Sequence, residues 1–136
     1  MDRYSATEEL LSLPRNYTLK DAIKNNDIIY SPAGNQNAKR FFQFLINIQQ
    51  GISDRIRITT FGIDGPAVVS IFEFKNSKLI LTIDSTRYEA NNTIDIFEGN
   101  VITVQLIKNT NNEFIYIYYL DTYNNKSYDV FKYIIK

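Results

Sequence analysis

The stretch that decides the fold is residues 36–60, QNAKRFFQFLINIQQ followed by GISDRIRITT. In its first part, large apolar residues recur at helical spacing at Phe41, Phe44, Leu45 and Ile48. This spacing predicts an amphipathic helix over 36–50, and Gly51 stands where a left-handed cap belongs. From residue 55 the apolar period changes to two, which predicts a half-buried strand. A helix therefore leads directly into a sheet.

The same two-residue period continues to the end of the chain. Further strands are predicted over 67–74, 78–84, 94–98, 101–108, 113–120 and 128–135. Turn residues separate them at Asp64-Gly65-Pro66, Asn76-Ser77, Asn91-Asn92, Gly99-Asn100, Asn109 to Asn112 and Asn124-Asn125. Such short connections favour antiparallel hairpins. The alternation also predicts a buried set made of Ile56, Ile58, Leu79, Leu81 and Ile83.

Upstream of residue 36 the signals are those of short helices and one strand. Ser5 and Glu8 fit a capping box for a helix over 5–13, and Thr18 and Asp21 fit another for a helix at about 19–25. A short strand follows at 27–30, and the turn 31–34 closes it. The predicted class is α+β, with N-terminal helices packed on one face of a mainly antiparallel meandering sheet. We expect one domain over 1–136, with 1–17 as a peripheral helical arm.

Composition excludes several classes of function. Fifteen basic side chains balance fifteen acidic ones, so the basic excess of a typical nucleic-acid binder is missing. The 136 residues suffice for a core without cross-links, and 44% of them are hydrophobic. No apolar run approaches the length of a membrane span. We therefore expect no nucleic acid and no transmembrane segment.

Reactive side chains are scarce. The chain has no cysteine and no histidine, which excludes disulfides, thiol catalysis and histidine-based triads. Its five glycines form no phosphate-binding loop, and no acidic spacing matches a calcium loop. The carboxylate pairs Asp95 with Glu98 and Asp121 with Asp129 carry no supporting motif for a glycosidase. We expect no enzyme, no cofactor and no metal site.

Five polar residues form the candidate contact face, namely Arg55, Arg57, Thr59, Asp84 and Arg87. The first three alternate along one side of a predicted strand, and the last two lie at the end of a later strand. One interpretation is a site for a small anionic ligand or a protein, with an arginine as a bidentate donor. The other, which is commoner for such faces, is a solvated surface joined by weak arginine–carboxylate pairs.

A stripe of aromatic residues falls on one side of another predicted strand, at Phe114, Tyr116 and Tyr118. Buried, the stripe would belong to the core, which is the expectation for aromatic residues. Exposed, it would form a contact surface, because tyrosine combines apolar area with a polar tip.

A family resemblance adds to these patterns. It rests on the Phe-rich helix ending at Gly51, on Arg55-Ile56-Arg57-Ile58-Thr59, and on Ile83-Asp84-Ser85-Thr86-Arg87. Over about residues 18–98 the chain resembles an uncharacterised family of small Bacillota proteins, several of them predicted envelope lipoproteins. The resemblance implies an extracytoplasmic location, although this sequence has no cysteine to carry a lipid.

Three functional hypotheses follow in order of preference. The first is a non-catalytic binding or interaction module, located at the bacterial cell surface by the resemblance. The second is an inhibitor or immunity-type protein that caps a partner enzyme. The third is a carboxylate-based hydrolase. An exposed apolar surface with Tyr116 and Tyr118 would favour capping, and a deep pocket with Arg57 and Arg87 would favour a small anion.

Overall fold

The computed structural model of the protein describes residues 3–63, 65–88 and 93–135. Its helices are α1 (Arg3–Ser12), α2 (Leu19–Lys24) and α3 (Ala38–Gln49). Its strands are β1 (Ile28–Ser31), β2 (Gly34–Gln36), β3 (Asp54–Thr60), β4 (Val68–Lys75), β5 (Lys78–Asp84), β6 (Ile94–Lys108), β7 (Phe114–Thr122) and β8 (Ser127–Ile135).

All eight strands belong to one sheet, in the order β2-β1-β3-β4-β5-β6-β7-β8. Every neighbouring pair is antiparallel except β1 and β3, which run parallel. Parallel strands need a longer connection than a hairpin, and here β2 and α3 lie between them. The α+β class with a mainly antiparallel meander is confirmed.

The sheet curls until its two edge strands approach each other. The side chain of Asn35 in β2 crosses the gap to β8. Its Nδ2 donates to the carbonyl of Lys132 at 2.7 Å, and its Oδ1 accepts from the amide of Ile134 at 2.8 Å. The side-chain amide of Asn35 thus forms the two hydrogen bonds to β8 that the backbone of a neighbouring strand would otherwise form.

Hydrophobic clusters lie on both sides of the curled sheet. The inner face carries α3, whose Phe41 and Phe44 are fully buried. They pack with Ile28, Ile56, Ile58, Phe72, Leu79, Leu81, Leu120, Val130 and Phe131. The outer face carries α1 and α2. Its cluster contains Ala6, Leu10, Tyr17, Ala22, Ile29, Ala67, Val69 and Ile71.

The helices therefore cover both faces of the sheet, whereas the sequence predicted them on one. The reason lies in β4, where Phe72 points to the inner face while Val69 and Ile71 point to the outer face. A strand that is apolar on both sides needs cover on both sides. The predicted buried set from β3 and β5 is confirmed, since all five residues belong to or pack against the inner cluster.

Several local predictions are confirmed. Thr18 and Asp21 form the predicted capping box at the start of α2. Gly51, with φ of 72°, follows α3 in the left-handed conformation. Asparagine also takes positive φ at three predicted separators, Asn76, Asn112 and Asn125, and at Asn26 after α2.

Other local predictions are wrong. α1 spans Arg3–Ser12, so Ser5 lies inside that helix and not ahead of its first turn as predicted. β6 runs through the predicted turn at Gly99-Asn100, where the pairing with β7 has a bulge. A Cβ on Gly99 would overlap the carbonyl oxygen of Asp121, so this glycine allows a close strand approach. The predicted turn residues Asp64, Asn91 and Asn92 lie outside the described residues.

Candidate functional site

The three candidate residues of β3 lie on the outer face beneath α1. Glu9 of α1 bridges two of them. Its Oε1 is 2.5 Å from Nη2 of Arg55, and its Oε2 is 3.0 Å from Nη1 of Arg57. The other side of Arg55 reaches Glu73 of β4 at 3.4 Å. These arginines are less than one-fifth exposed, so they act as an attachment for the helix more than as a solvated surface.

Asp27, just before β1, is the centre of this network. Its carboxylate is 3% exposed and accepts from Nε of Arg57 at 2.7 Å, from the Thr59 hydroxyl at 2.8 Å and from the Tyr17 hydroxyl at 2.6 Å. Burial alone would lower the pKa of Arg57, but the bond and charge of Asp27 outweigh it, and the pKa is raised. Burial, assisted by the bond to Asp27, raises the pKa of Tyr17 to about 12. Arg57 therefore keeps its charge and Tyr17 keeps its hydroxyl proton at neutral pH.

Asp84 and Arg87 form a second buried unit. Oδ1 of Asp84 accepts from the amide of Thr86 at 2.9 Å and from its hydroxyl at 2.5 Å. Oδ2 accepts from Nη1 of Arg87 at 3.1 Å. Both charged side chains are at most 2% exposed. The segment thus forms a local turn in which the arginine is bonded to the aspartate.

The second unit also holds the segment after α1. Arg87 donates from Nη2 to the carbonyl of Pro14 at 2.8 Å, and its guanidinium lies 5.7 Å from the centre of the Tyr17 ring. Arg15 in turn donates to the carbonyl of Thr86 at 2.6 Å. Tyr17 thereby joins the two units, with its hydroxyl in one and its ring against the other.

A polar cleft of about 320 Å³ opens beside the first unit. Its lining includes Arg57 but not Arg87, so the two arginines do not converge on one pocket. Arg40 also lines the cleft and is bonded to both oxygens of Asp54. Its arginines thus all have carboxylate partners, and the cleft has no surplus of positive charge for an anion.

The five candidate residues are thus brought together, but their contacts are with the chain's own N-terminal segment. Sequence reasoning missed the residues that complete the site, Glu9, Tyr17 and Asp27. One signal was available for Asp27, a carboxylate placed directly before the apolar pair Ile28-Ile29. Buried carboxylates need charged or donor partners.

A second surface lies on the inner face, where β6, β7 and β8 extend beyond α3. Register places Val104 beside Tyr118, Leu106 beside Tyr116 and Tyr133, and Phe114 beside Ile135. We call these seven residues the aromatic surface. Directly paired side chains share a face of a sheet, so the seven are contiguous.

The aromatic surface is buried at one end and open at the other. Tyr118 packs against Phe41 and Phe42 of α3, which confirms the core prediction for that residue. Phe114 is 44% exposed, so the same prediction is wrong for the start of the stripe. The reason is length, because α3 ends its cover before the far rows of β6 and β7.

The polar groups of this surface are the hydroxyls of Tyr116, Tyr118 and Tyr133, each of which can donate or accept a hydrogen bond. Burial, with the neighbouring Tyr116 and Tyr133, raises the pKa of Tyr118. Among residues 3–63, 65–88 and 93–135, none accepts a hydrogen bond from these three hydroxyls. The ammonium of Lys108 lies 5.9 Å from the centre of the Phe114 ring.

Other classes of site find no support in the described part of the chain. Within it, no three acidic side chains gather in a way that would hold a metal ion. None of the helices there has the length and apolar character needed to cross a membrane. Asp95 and Glu98 are three residues apart in one strand, so they project to opposite faces.

Comparison with known proteins gives one family. The pattern of a family described as Domain of unknown function (DUF4362) matches residues 25–116 of the 136. No curated protein and no solved structure matches the chain. The matched range includes all five candidate residues and the first part of the aromatic surface, and it leaves out α1.

Proposed function

Since the chain belongs to this family of unknown function, we propose its role from the site: it is a non-catalytic protein-binding module. Its contact surface is the aromatic surface of the inner face, and its partner presents an apolar segment that also carries carboxylates. The mode of action is the capping of a partner protein through one side of the sheet.

The observation that carries this proposal is the exposure of four large apolar side chains in one contiguous field. Val104 is 54% exposed, Leu106 51%, Phe114 44% and Ile135 42%. Scattered apolar residues are ordinary on a protein surface, but a contiguous field of them marks an interaction site. The tyrosines between them add rigid contact area, which is typical of residues that dominate binding energy.

Charge decides the chemistry of the partner. Lys108 stands at one corner of the aromatic surface, paired in register with Phe114. Lys39 lies three residues before Phe42 on α3, hence on the same face of that helix, and Phe42 contacts Tyr133. The two cations favour negative charge on the partner, and the tyrosine hydroxyls can donate to the carboxylates that aspartate and glutamate provide.

The arginine face is a weaker candidate for the same role. Arg55, Arg57 and Arg87 are engaged by Glu9, Asp27, Asp84 and Pro14. A partner at that face would first have to displace α1 and expose the outer cluster. That displacement costs free energy which the open aromatic surface does not require.

Two peptide libraries test the proposal directly. Both share one pattern of apolar positions, and they carry either glutamate or lysine at the remaining positions. Binding of labelled peptides to the full chain is measured by fluorescence anisotropy. We expect the acidic set to bind and the basic set to bind about tenfold more weakly or not at all.

Variants then locate the contact. Leu106→Glu should weaken the binding of acidic peptides by about tenfold or more, because it removes apolar contact area and adds charge repulsion. Gln105→Glu is its matched control, since Gln105 is the next residue of the same strand and faces the other side. Lys39→Glu with Lys108→Glu should also weaken binding, whereas Lys126→Glu, in the β7–β8 turn, should not.

Three results would reject this function. Equal binding of both libraries would contradict the charge argument. An equal loss of affinity in Gln105→Glu would show that the aromatic surface is not the contact surface. Concentration-dependent dimerisation in light scattering, abolished by Leu106→Glu, would show that a second copy covers the surface instead.

We also propose an extracytoplasmic location, supported by the sequence resemblance to a family of which several members are predicted envelope lipoproteins. Protease treatment of intact cells that express the chain from its own gene provides the test. Degradation of the chain before a cytosolic marker supports the proposal, and protection equal to that marker contradicts it.

A further inference from the structure

The inner face becomes polar where β3 ends and β4 begins. Along β3 the inward residue Ile58 is followed by Thr60, and along β4 Phe72 is preceded by Ser70. A cavity of about 300 Å³ opens there, and Ser85 and the 129–132 part of β8 complete its lining. The mouth of a curled sheet is a common place for a small-molecule site.

Three hydroxyls line this cavity without a hydrogen-bond partner among the described residues. Thr60, Ser70 and Ser85 are half-buried. No residue in the described ranges exchanges a hydrogen bond with their side-chain oxygens. Half-buried hydroxyls of this kind are matched by water or by a ligand, because leaving them unmatched is unfavourable.

Two opposite charges stand at the same cavity. Nζ of Lys132 is 3.8 Å from Oδ2 of Asp129, which is longer than a good charged hydrogen bond. Their side chains are 37% and 56% exposed, so both groups remain open to a ligand. The pair has no net charge, which disfavours a simple anion or cation.

From these observations we propose that the cavity binds a free α-amino acid. The ligand ammonium would bind Asp129, its carboxylate would bind Lys132, and Thr60, Ser70 and Ser85 would share their hydroxyls with both groups. An α-amino acid carries its two charges on either side of one carbon, which suits two opposite protein charges placed side by side. Val68 and Ile83 offer apolar wall to a small side chain.

A neutral sugar fits the cavity less well. Sugars bind to protein surfaces by stacking on an accessible aromatic ring as well as by hydrogen bonds. The aromatic ring of the lining belongs to Phe131, which is only 2% exposed. The volume, at the low end for ligand pockets, also favours a small molecule.

Calorimetric titration of the full chain with each free amino acid tests the proposal. We expect one small or apolar amino acid to bind, and its amide and its N-acetyl form to bind about tenfold more weakly or worse, because each has lost one charge. Asp129→Asn should weaken mainly the free amino acid, and Lys132→Met should do the same. Asp121→Asn and Lys126→Met are the matched controls outside the cavity.

Several outcomes would overturn this site. They are no heat with any amino acid at millimolar concentration, equal affinity for the capped forms, or tighter binding of a neutral monosaccharide. Loss of binding in the two control variants would do so as well. Thermal unfolding of each variant is measured first, to confirm that the variant folds. We expect it to fold, because side chains such as Asp129 are exposed. The peptide-binding test of the aromatic surface is independent of all these results.

Discussion

Tyr17 donates its hydroxyl proton to Oδ2 of Asp27 across 2.6 Å, and both residues are only 3% exposed. This bond joins the segment after α1 to the start of β1. It also joins the network of Arg55 and Arg57 to the turn of Arg87, whose guanidinium lies against the Tyr17 ring. The N-terminal segment is therefore part of the folded unit that the sheet forms.

The raised pKa of Tyr17 predicts a loss of stability at alkaline pH. Its pKa rises from 10.0 in the unfolded chain to about 12 in the folded protein, through burial and the bond to Asp27. The folded state thus holds this proton more tightly, so the stabilisation is complete below pH 10 and declines between pH 10 and 12. Urea unfolding from pH 8 to 11 should show Tyr17→Phe about 1 kcal/mol less stable than wild type at pH 8.

The difference between wild type and Tyr17→Phe should shrink above pH 10, because only the wild type loses this contribution there. Tyr123→Phe is the control, since Tyr123 is 55% exposed. If the free energies of unfolding of wild type and Tyr17→Phe changed in parallel across the alkaline range, the raised pKa of Tyr17 would be contradicted.

Arg57→Ala should destabilise the fold strongly. It leaves the buried carboxylate of Asp27 without its cationic partner and also removes one of the two arginine contacts of Glu9. We expect a loss of roughly 2–3 kcal/mol in denaturant unfolding, below the cost of breaking a fully buried pair because Arg57 keeps some solvent contact.

Arg15→Ala is the comparison for that experiment, because Arg15 bonds Thr86 at the exposed side of the same region. Its cost should stay within about 1 kcal/mol. If the two arginine variants were equally stable, the network around Asp27 would not be what holds α1.

Asn35→Ala should open the seam between the edge strands. The substitution removes the acceptor for the Ile134 amide and the donor to the Lys132 carbonyl. Hydrogen exchange should show faster exchange of the Ile134 amide, while amides of β4 in the sheet centre stay protected. Asn111→Ala, in the β6–β7 turn, should leave Ile134 unchanged, and the same slow exchange in Asn35→Ala would refute the contact.

Gly99→Ala should destabilise the protein by roughly 1–3 kcal/mol, because its Cβ would overlap the carbonyl oxygen of Asp121 and force the strands apart. Gly62→Ala is the control, since the nearest atoms to a Cβ there are at 4.0 Å. Thermal unfolding of both variants decides the matter. Equal midpoints would show that β6 and β7 adjust without cost.

The local secondary structure of the chain could be predicted from its sequence. Helix α3, strand β3 and the asparagine turns depend on residues that are close in sequence, such as Gly51 and Asn76. The continuity of β6 could not, because it depends on how closely Asp121 approaches Gly99 from another strand. A Gly-Asn pair has the same composition whether it turns or bulges.

The partners of the candidate site were likewise hidden from the sequence. Arg55 and Arg57 alternate as they would on a solvated face, and the pattern itself was correctly identified. What covers them is Glu9, separated by 46 and 48 residues. Only the packing of α1 on the outer face brings the Glu9 carboxylate close to these arginines. A period-two pattern shows which side chains share a face of a strand, but not which helix covers that face.

The position of Asn35 at β8 has a consequence for the behaviour of many copies together. An unpaired strand edge is a template for other chains, and edge-to-edge growth leads to fibres. Asn35 already forms hydrogen bonds with the Lys132 carbonyl and the Ile134 amide, so neighbouring molecules cannot pair with these two groups. A single amide side chain thereby helps to keep a sheet rich in isoleucine and tyrosine from polymerising at high concentration.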